Sequence, residues 1–292
     1  TGLEDRTVRM HGENVADKTL HTSMPPIKVL QKYGYPVISK DVAQCIYELQ
    51  VARDNKSKCE KSYRMKKLNG TLRKKNGEWK FLLYAPFRIS HMCCDESKKK
   101  PAKKYEKESG NMPIIGTMAE ESRNRESKWL NTGCNAFELD RPTSQPLSFW
   151  TEQDILQYIA TRGIRIAEAY GEVEYDGKKY KTTKTDRTGC VFCLFGITKD
   201  KERIARLQIN DPQLADYVLR GGEFGEDGYW KPSKTGLGYW FVIEWLNTHG
   251  LDIKYYDYGY QKEYGTPKTT KLLLNEKIKT RMKRSEKDDS GN

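Results

Sequence analysis

Residues 113–125 read Pro113-Ile114-Ile115-Gly116-Thr117-Met118-Ala119-Glu120-Glu121-Ser122-Arg123-Asn124-Arg125. The short apolar run ending at a glycine predicts a buried strand, and the polar residues after it predict a loop. In an open α/β sheet, ligands bind where a strand ends in this way. The loop supplies Ser122, Arg123 and Arg125, and planar guanidinium forks match phosphate or sulfate. Together with Gly116 they form the candidate anion-binding set; an ordinary arginine-bearing surface loop is the alternative.

Upstream, Pro25 to Gly34 reads as a short helix that a proline opens and a glycine closes. Ser39-Lys40-Asp41 caps a second helix, with Val42, Cys45, Ile46 and Leu49 at i, i+3, i+4 and i+7. Trp79 to Tyr84 predicts a short strand. Downstream, Thr151-Glu152-Gln153-Asp154 has the form of a capping box that opens a helix with Ile155, Tyr158 and Ile159 facing inward. Residues 171–186 predict a hairpin around Asp176-Gly177. Helical patterning returns over 200–208, 211–220 and 237–248, and Gly250 ends the last helix.

The chain has 292 residues, enough for a core without disulfide staples. It is 36% hydrophobic and 32% charged, yet 11% aromatic, which argues against general disorder. Mean hydropathy is −0.85. The longest apolar stretch, Tyr239 to Leu246, contains Glu244 and is far short of a membrane span, so no membrane partner is expected. The net charge of +12 is segregated. Residues 55–80 carry net +8, residues 98–107 net +5 and residues 268–284 net +6, leaving −7 elsewhere. Such patches attract polyanions, DNA or tRNA among them, or serve as a solvated face. The 55–80 run reads as an exposed basic insertion, and 267–292 as a basic, flexible tail.

Seven cysteines stand at 45, 59, 93, 94, 134, 190 and 193. Their odd number and the chain length argue for free thiols in a reducing, cytoplasmic setting. Cys190-Val191-Phe192-Cys193 is a CxxC, whose tight turn points two thiols into one site. The vicinal pair Cys93-Cys94 brings the set to four, the number that a tetrahedral zinc or a [4Fe–4S] cluster requires. Adjacent side chains diverge, so this pair needs a kinked backbone. Two unrelated buried thiol pairs are the plainer reading. Cys134 reads as a fifth thiol or a structural cysteine, and His91 as an outer donor or a surface histidine. Arg187 and Lys184 precede the CxxC and either place positive charge beside the thiols or sit on a hairpin surface. The aromatic cluster Tyr229, Trp230, Tyr239, Trp240, Phe241 and Trp245 reads as core rather than as a base-stacking platform.

A Cys-Cys pair, a long gap and a CxxC resemble the cluster signature of the adenylylsulfate reductases, within the phosphoadenosine phosphosulfate reductase superfamily. Residues 113–125 are similar to that superfamily's strand and loop with its Gly, Glu-Ser and Arg pattern. Pro146-Leu147-Ser148-Phe149-Trp150-Thr151-Glu152-Gln153-Asp154 looks like its PL-x-x-W-T-x-x-D element. Tyr170 and Arg187 to Cys193 resemble the stretch that leads into its CxxC, and Thr1-Gly2-Leu3-Glu4 the end of its second strand. The resemblance implies a Rossmann-like adenine nucleotide α-hydrolase (PP-loop) fold in an α/β domain over 1–198, followed by a helical C-terminal lobe over 199–266. It implies an adenylyl nucleotide (ATP or a sulfonucleotide) as ligand, with Gly116, Ser122, Arg123, Arg125 and Arg187 binding it. It implies a [4Fe–4S] cluster on Cys93, Cys94, Cys190 and Cys193.

Two departures refine this. The family's Ser-Gly-Gly-x-Asp-Ser phosphate loop is not in the sequence, so the fold is expected to be incomplete at its N-terminus. The loop would then come from upstream or from another polypeptide. No cysteine follows Cys193, where sulfonucleotide reductases carry a nucleophile in a Glu-Cys-Gly-x-His context. A thiosulfonate enzyme intermediate is therefore disfavoured, no catalytic residue is assigned, and the resemblance shifts toward the DNA-phosphorothioation-component branch. The expected chemistry is adenylyl-dependent sulfur activation, transfer or reduction. The competing expectation is a non-catalytic, basic nucleic-acid-binding subunit whose four cysteines hold structural zinc.

Overall fold

A computed structural model describes residues 6–54 and 79–260. The Thr1–Glu4 motif, nearly all of the 55–80 insertion and the 267–292 tail lie outside the described residues. The chain divides into two compact units, one built from the segments 22–98 and from 190 onward, the other from 5–21 and 99–189.

The first unit is organised on short parallel strands. Val37–Ile38 pairs in parallel with Leu194–Phe195, and parallel bridges join Tyr35 to Ile89 and Phe87 to Trp230. Spatially the order is Trp230, Phe87–Ile89, Tyr35–Ile38, Leu194–Phe195, with Glu223–Phe224 added antiparallel to Trp230–Lys231. Parallel strands need covering on both faces, and five helices supply the cover: Pro26–Tyr33, Lys40–Asp54, Arg203–Asn210, Pro212–Leu219 and Tyr239–Asn247.

Each helix boundary follows from local chemistry. Pro26 opens the first, and Gly34 closes it at φ 105, its N–H bonded to Leu30. A Cβ at Gly34 would lie 2.3 Å from the Arg88 carbonyl oxygen, so only glycine fits there. Ser39 Oγ accepts from the Val42 N–H at 3.2 Å and caps the second helix. That helix buries Val42, Cys45, Ile46 and Leu49 as their spacing predicts, and also Gln50. The Gln50 amide donates to the Phe87 carbonyl at 3.2 Å and accepts from the Ile89 N–H at 3.0 Å. A buried side-chain amide thus takes the place of a neighbouring strand. The last helix buries seven residues, Tyr239, Trp240, Phe241, Val242, Ile243, Trp245 and Leu246. A helix that is apolar all round belongs in a core, and each such side chain contributes roughly 1.5–3 kcal/mol.

Two expectations change here. Trp79–Tyr84 is not a strand; Lys80–Tyr84 forms a 3-10 helix. Trp79 and Leu82, three apart, are both buried, and that spacing suits a three-residue turn rather than alternation. The helices after residue 199 form no separate lobe among the described residues. Ile204, Val218, Trp240 and Ile243 share one buried cluster with Val29, Val37, Ile46 and Phe87.

The second unit contains the helices Arg6–Val15, Lys100–Ser109, Arg123–Thr132 and Glu152–Arg162. Val173–Tyr175 pairs antiparallel with Tyr180–Thr182 around Asp176-Gly177, the predicted hairpin. Thr151 and Asp154 form the predicted capping box. The Thr151 N–H donates to Asp154 Oδ2 at 2.8 Å, and the Asp154 N–H to Thr151 Oγ1 at 3.2 Å. The inward face expected of that helix is only partly covered: Tyr158 is 45% exposed. The 113–117 strand is likewise shallower than expected. Ile114 bridges Ser144 alone and is 77% exposed, because the segment pairs on one side with a two-residue strand.

Candidate functional site

Cys93, Cys94, Cys190 and Cys193 all belong to the first unit. Cys93 and Cys94 follow the Phe87–Ile89 strand segment and open a helical run. Asp95 and Glu96 both donate backbone N–H bonds to the Met92 carbonyl at 3.0 Å, and Asp95–Lys99 winds as a π-helix. Such wide turns concentrate at functional positions, and this one begins directly after the vicinal pair, which is itself α-helical. Buried Ser90 holds the approach, its Oγ accepting from the Met92 N–H at 3.0 Å.

The CxxC precedes Leu194–Phe195. Its turn closes through the Cys193 N–H, which donates to the Cys190 carbonyl at 2.9 Å, while Val191 and Phe192 are buried. Two side chains from the C-terminal helices fix this turn. Arg203 Nη2 donates to the Cys190 carbonyl at 2.9 Å, and the buried Tyr239 hydroxyl donates to the Phe192 carbonyl. The Phe195 N–H donates to Cys193 Sγ at 3.4 Å. Beside this strand, Ile38 sits at φ 66. For a β-branched residue that is strained backbone costing about 1–3 kcal/mol, held by the surrounding packing.

The four thiols form one electrostatic neighbourhood. The Cys93 thiol is driven well above its usual range by its hydrogen bond to Cys94 and by burial, with further contributions from Cys193 and Cys190. Cys94 is lowered to about 6 by accepting that bond, with Lys98 and Lys40 adding to the effect. Cys193 is pushed up to about 11 by burial, against the pull of Arg203. Among the described residues no three His, Cys, Asp or Glu side chains stand close enough to hold a metal ion as they are. The donor set nevertheless fits a thiolate-ligated group. Cys93 is influenced by Cys94, Cys190 and Cys193, and Lys98, Lys40 and Arg203 supply positive charge beside Cys94 and Cys193. A metal bound there would displace the protons that the bond to Cys94 and burial keep on Cys93 and that burial keeps on Cys193.

Gly116, Ser122, Arg123, Arg125 and Arg187 belong to the second unit. Ser122 is the N-cap of the Arg123–Thr132 helix, accepting from the Arg125 N–H at 3.4 Å. Arg123 and Arg125 are exposed in its first turn, where the helix dipole disfavours cations unless an anion joins them. Arg125 pairs with Glu121. The Arg187 carbonyl accepts from Thr185 Oγ1 at 3.1 Å, and Lys184 lies 3.8 Å from Glu168. Cys134 lies in this unit too. His91 packs edge-on against Tyr47 with ring centroids 6.0 Å apart.

A family model for the phosphoadenosine phosphosulfate reductase domain matches residues 28–194. The chain belongs to this family. The match spans all four cysteines and the whole anion loop, and with it comes an α/β nucleotide-binding fold. No curated protein and no solved structure matches the chain. Among the described residues no helix of this family member is long and apolar enough to cross a membrane.

Sequence reasoning missed Arg203, Tyr239, Lys98 and Lys40. Tyr239 was legible only as a core aromatic, and Arg203 as one charge on an amphipathic helix. Arg203 and Tyr239 reach backbone carbonyls that are distant in sequence, which no local pattern encodes, whereas the i, i+4 spacing of Cys94 and Lys98 was a signal that could have found Lys98.

Proposed function

We propose that this phosphoadenosine phosphosulfate reductase family member is an enzyme of sulfur chemistry. It holds a [4Fe–4S] cluster on Cys93, Cys94, Cys190 and Cys193 and takes an adenylyl nucleotide through an anion loop. The observation that supports it most is that the Tyr35–Ile38 segment pairs with Ile89, just before Cys93-Cys94, and with Leu194–Phe195, just after the CxxC, so both cysteine pairs sit on adjoining strands of one unit. When bound, a cluster supplies an electron-transfer or sulfur-polarising centre.

The chain's own residues do the rest. Arg203 and Tyr239 hold the CxxC turn by its carbonyls, fixing where Cys190 and Cys193 point. Lys98 and Lys40 favour the thiolate of Cys94. Ser122 shapes the loop that presents Arg123, Arg125 and the first-turn amides to a phosphate or sulfate group. Arg125 exchanges Glu121 for that anion, and Gly116 and Arg187 complete the set. DNA or tRNA as sulfur acceptor rests on the basic runs alone.

The test is anaerobic purification followed by visible absorbance and iron, sulfide and zinc analysis. Brown protein that loses its colour in Cys193→Ser supports the reading. Colourless protein with one tightly held zinc per chain overturns it in favour of a structural site. Binding of adenylylsulfate that weakens in Arg123→Ala and Arg125→Ala tests the loop separately.

A further inference from the structure

Ser97 belongs to the first unit, and its Oγ is shielded from solvent. Among the described residues that hydroxyl has no hydrogen-bond partner. A buried hydroxyl left unpaired is destabilising, so it calls for a physical reason. A serine inside a helix ordinarily turns its hydroxyl to the carbonyl three or four residues back, and Ser97 does not.

Its position supplies the reason. Residues 93–109 form one continuous helical run, and Ser97 lies in the wide turn Asp95–Lys99. It follows Cys93 by four residues and Cys94 by three. Helical positions so spaced are neighbours, with Cβ atoms about 5–6 Å apart. Cys93 and Glu96 are buried, whereas Lys98, Lys99 and Lys100 are exposed. Ser97 therefore shares the inward side of the run with Cys93. Glu96 on that side is already engaged. The Tyr33 hydroxyl donates to Glu96 Oε1 at 2.8 Å, and Thr22 Oγ1 donates to the Glu96 carbonyl at 3.1 Å.

The sulfurs differ in what faces them. Cys94 has the positive charge of Lys98 and Lys40. Cys193 Sγ accepts from the Phe195 N–H at 3.4 Å and has Arg203 nearby. The influences on Cys93 come from burial and from the other three thiols, and each disfavours its charged form. A metal ligand is a thiolate, and a buried thiolate needs a donor. Of these three sulfurs, Cys93 needs one most.

We propose that Ser97 is a positioning residue whose hydroxyl donates a hydrogen bond to the Cys93 sulfur once that sulfur serves as a ligand. The proposal rests on the cluster reading above and adds to it what sets the potential. Hydrogen bonds to the sulfurs help to set the reduction potential of an iron–sulfur cluster. Such a bond strengthens as the sulfur gains negative charge, so it favours the reduced state and raises the potential.

The test compares wild type, Ser97→Ala and Ser97→Thr as full chains, by iron content, potentiometry followed by electron paramagnetic resonance, and thermal unfolding without metal. Ser97→Ala should keep the wild-type iron content while its reduction equilibrium constant falls about tenfold, a potential about 59 mV more negative. Ser97→Thr keeps the hydroxyl and should return toward wild type. In metal-free protein Ser97→Ala should not lower the thermal midpoint, because the hydroxyl has no bond there to lose. A lower midpoint would mean that the hydroxyl already serves the fold, and would overturn the proposal. An unchanged potential at full iron content overturns it too and leaves the cluster reading standing. Wild-type protein that takes up no iron on reconstitution overturns the cluster reading and this proposal with it, and the iron analysis tells the two failures apart.

Discussion

Arg203 Nη2 donates to the carbonyl oxygen of Cys190 at 2.9 Å. The bond joins a helix beyond the family-matched region to the CxxC within it, so the C-terminal helices are part of the thiol site. Removing the guanidinium leaves the carbonyl without its charged donor. Arg203→Ala should lower unfolding stability by about 1.5–3 kcal/mol and reduce metal retention, with Arg203→Lys intermediate. Chemical denaturation and metal analysis of both variants check this. Wild-type retention in Arg203→Ala would remove the clamp from the account.

In metal-free, reduced protein, Cys94 should be the first thiol alkylated by iodoacetamide. Its pKa is lowered to about 6, so its thiolate form grows as pH rises through that value and is nearly complete by neutrality. Cys193 titrates near 11 and stays a thiol across the same range. Mass-spectrometric mapping between pH 5 and 8 should show Cys94 labelling rising and then levelling, with Cys193 labelling slow throughout. Equal rates at the two sites would contradict the assigned hydrogen-bond direction, in which Cys93 donates and Cys94 accepts.

Gln50→Leu should be among the most costly single changes in the first unit. It removes the partners of the Phe87 carbonyl and the Ile89 N–H, both buried. Two orphaned backbone groups cost about 2–4 kcal/mol together. The thermal midpoint should fall by several degrees, whereas Gln44→Leu, on the half-buried side of the same helix, should change little.

Gly34→Ala combines a left-handed φ of 105 with a Cβ placed 2.3 Å from the Arg88 carbonyl oxygen. A loss of at least about 2 kcal/mol is expected. Gly177→Ala shares the left-handed backbone at φ 90 but has open space around its Cβ. The difference between the two variants isolates the contact from the backbone strain.

Much of the fold was legible because its signals are local. Pro26, Gly34, Ser39 and the Thr151–Asp154 box mark helix ends through their own backbone bonds, and Asp176-Gly177 marks its turn. The aromatic core around Trp230 and Trp240 was legible from composition. The Lys80–Tyr84 turn was misread because its short apolar run, Phe81 to Tyr84, fits either period. The Ile114 strand was misread because its depth depends on neighbours that the run does not encode. The four cysteines stood out in the sequence by type and spacing, and the structure puts them in one unit; the π-turn after the pair and the bonds that hold the CxxC were not legible. A π-turn has no residue signature, and Arg203 and Tyr239 act across 13 and 47 residues of sequence.

The proposed function places one iron–sulfur cluster on the four cysteines. The most direct measurement is iron and acid-labile sulfide per chain after anaerobic reconstitution, with electron paramagnetic resonance of the reduced protein. The account predicts about four irons and four sulfides, the content of one cubane, falling sharply in Cys94→Ser and in Cys193→Ser but not in Cys134→Ser. Stoichiometric zinc without iron, or full iron content surviving both substitutions, would contradict it.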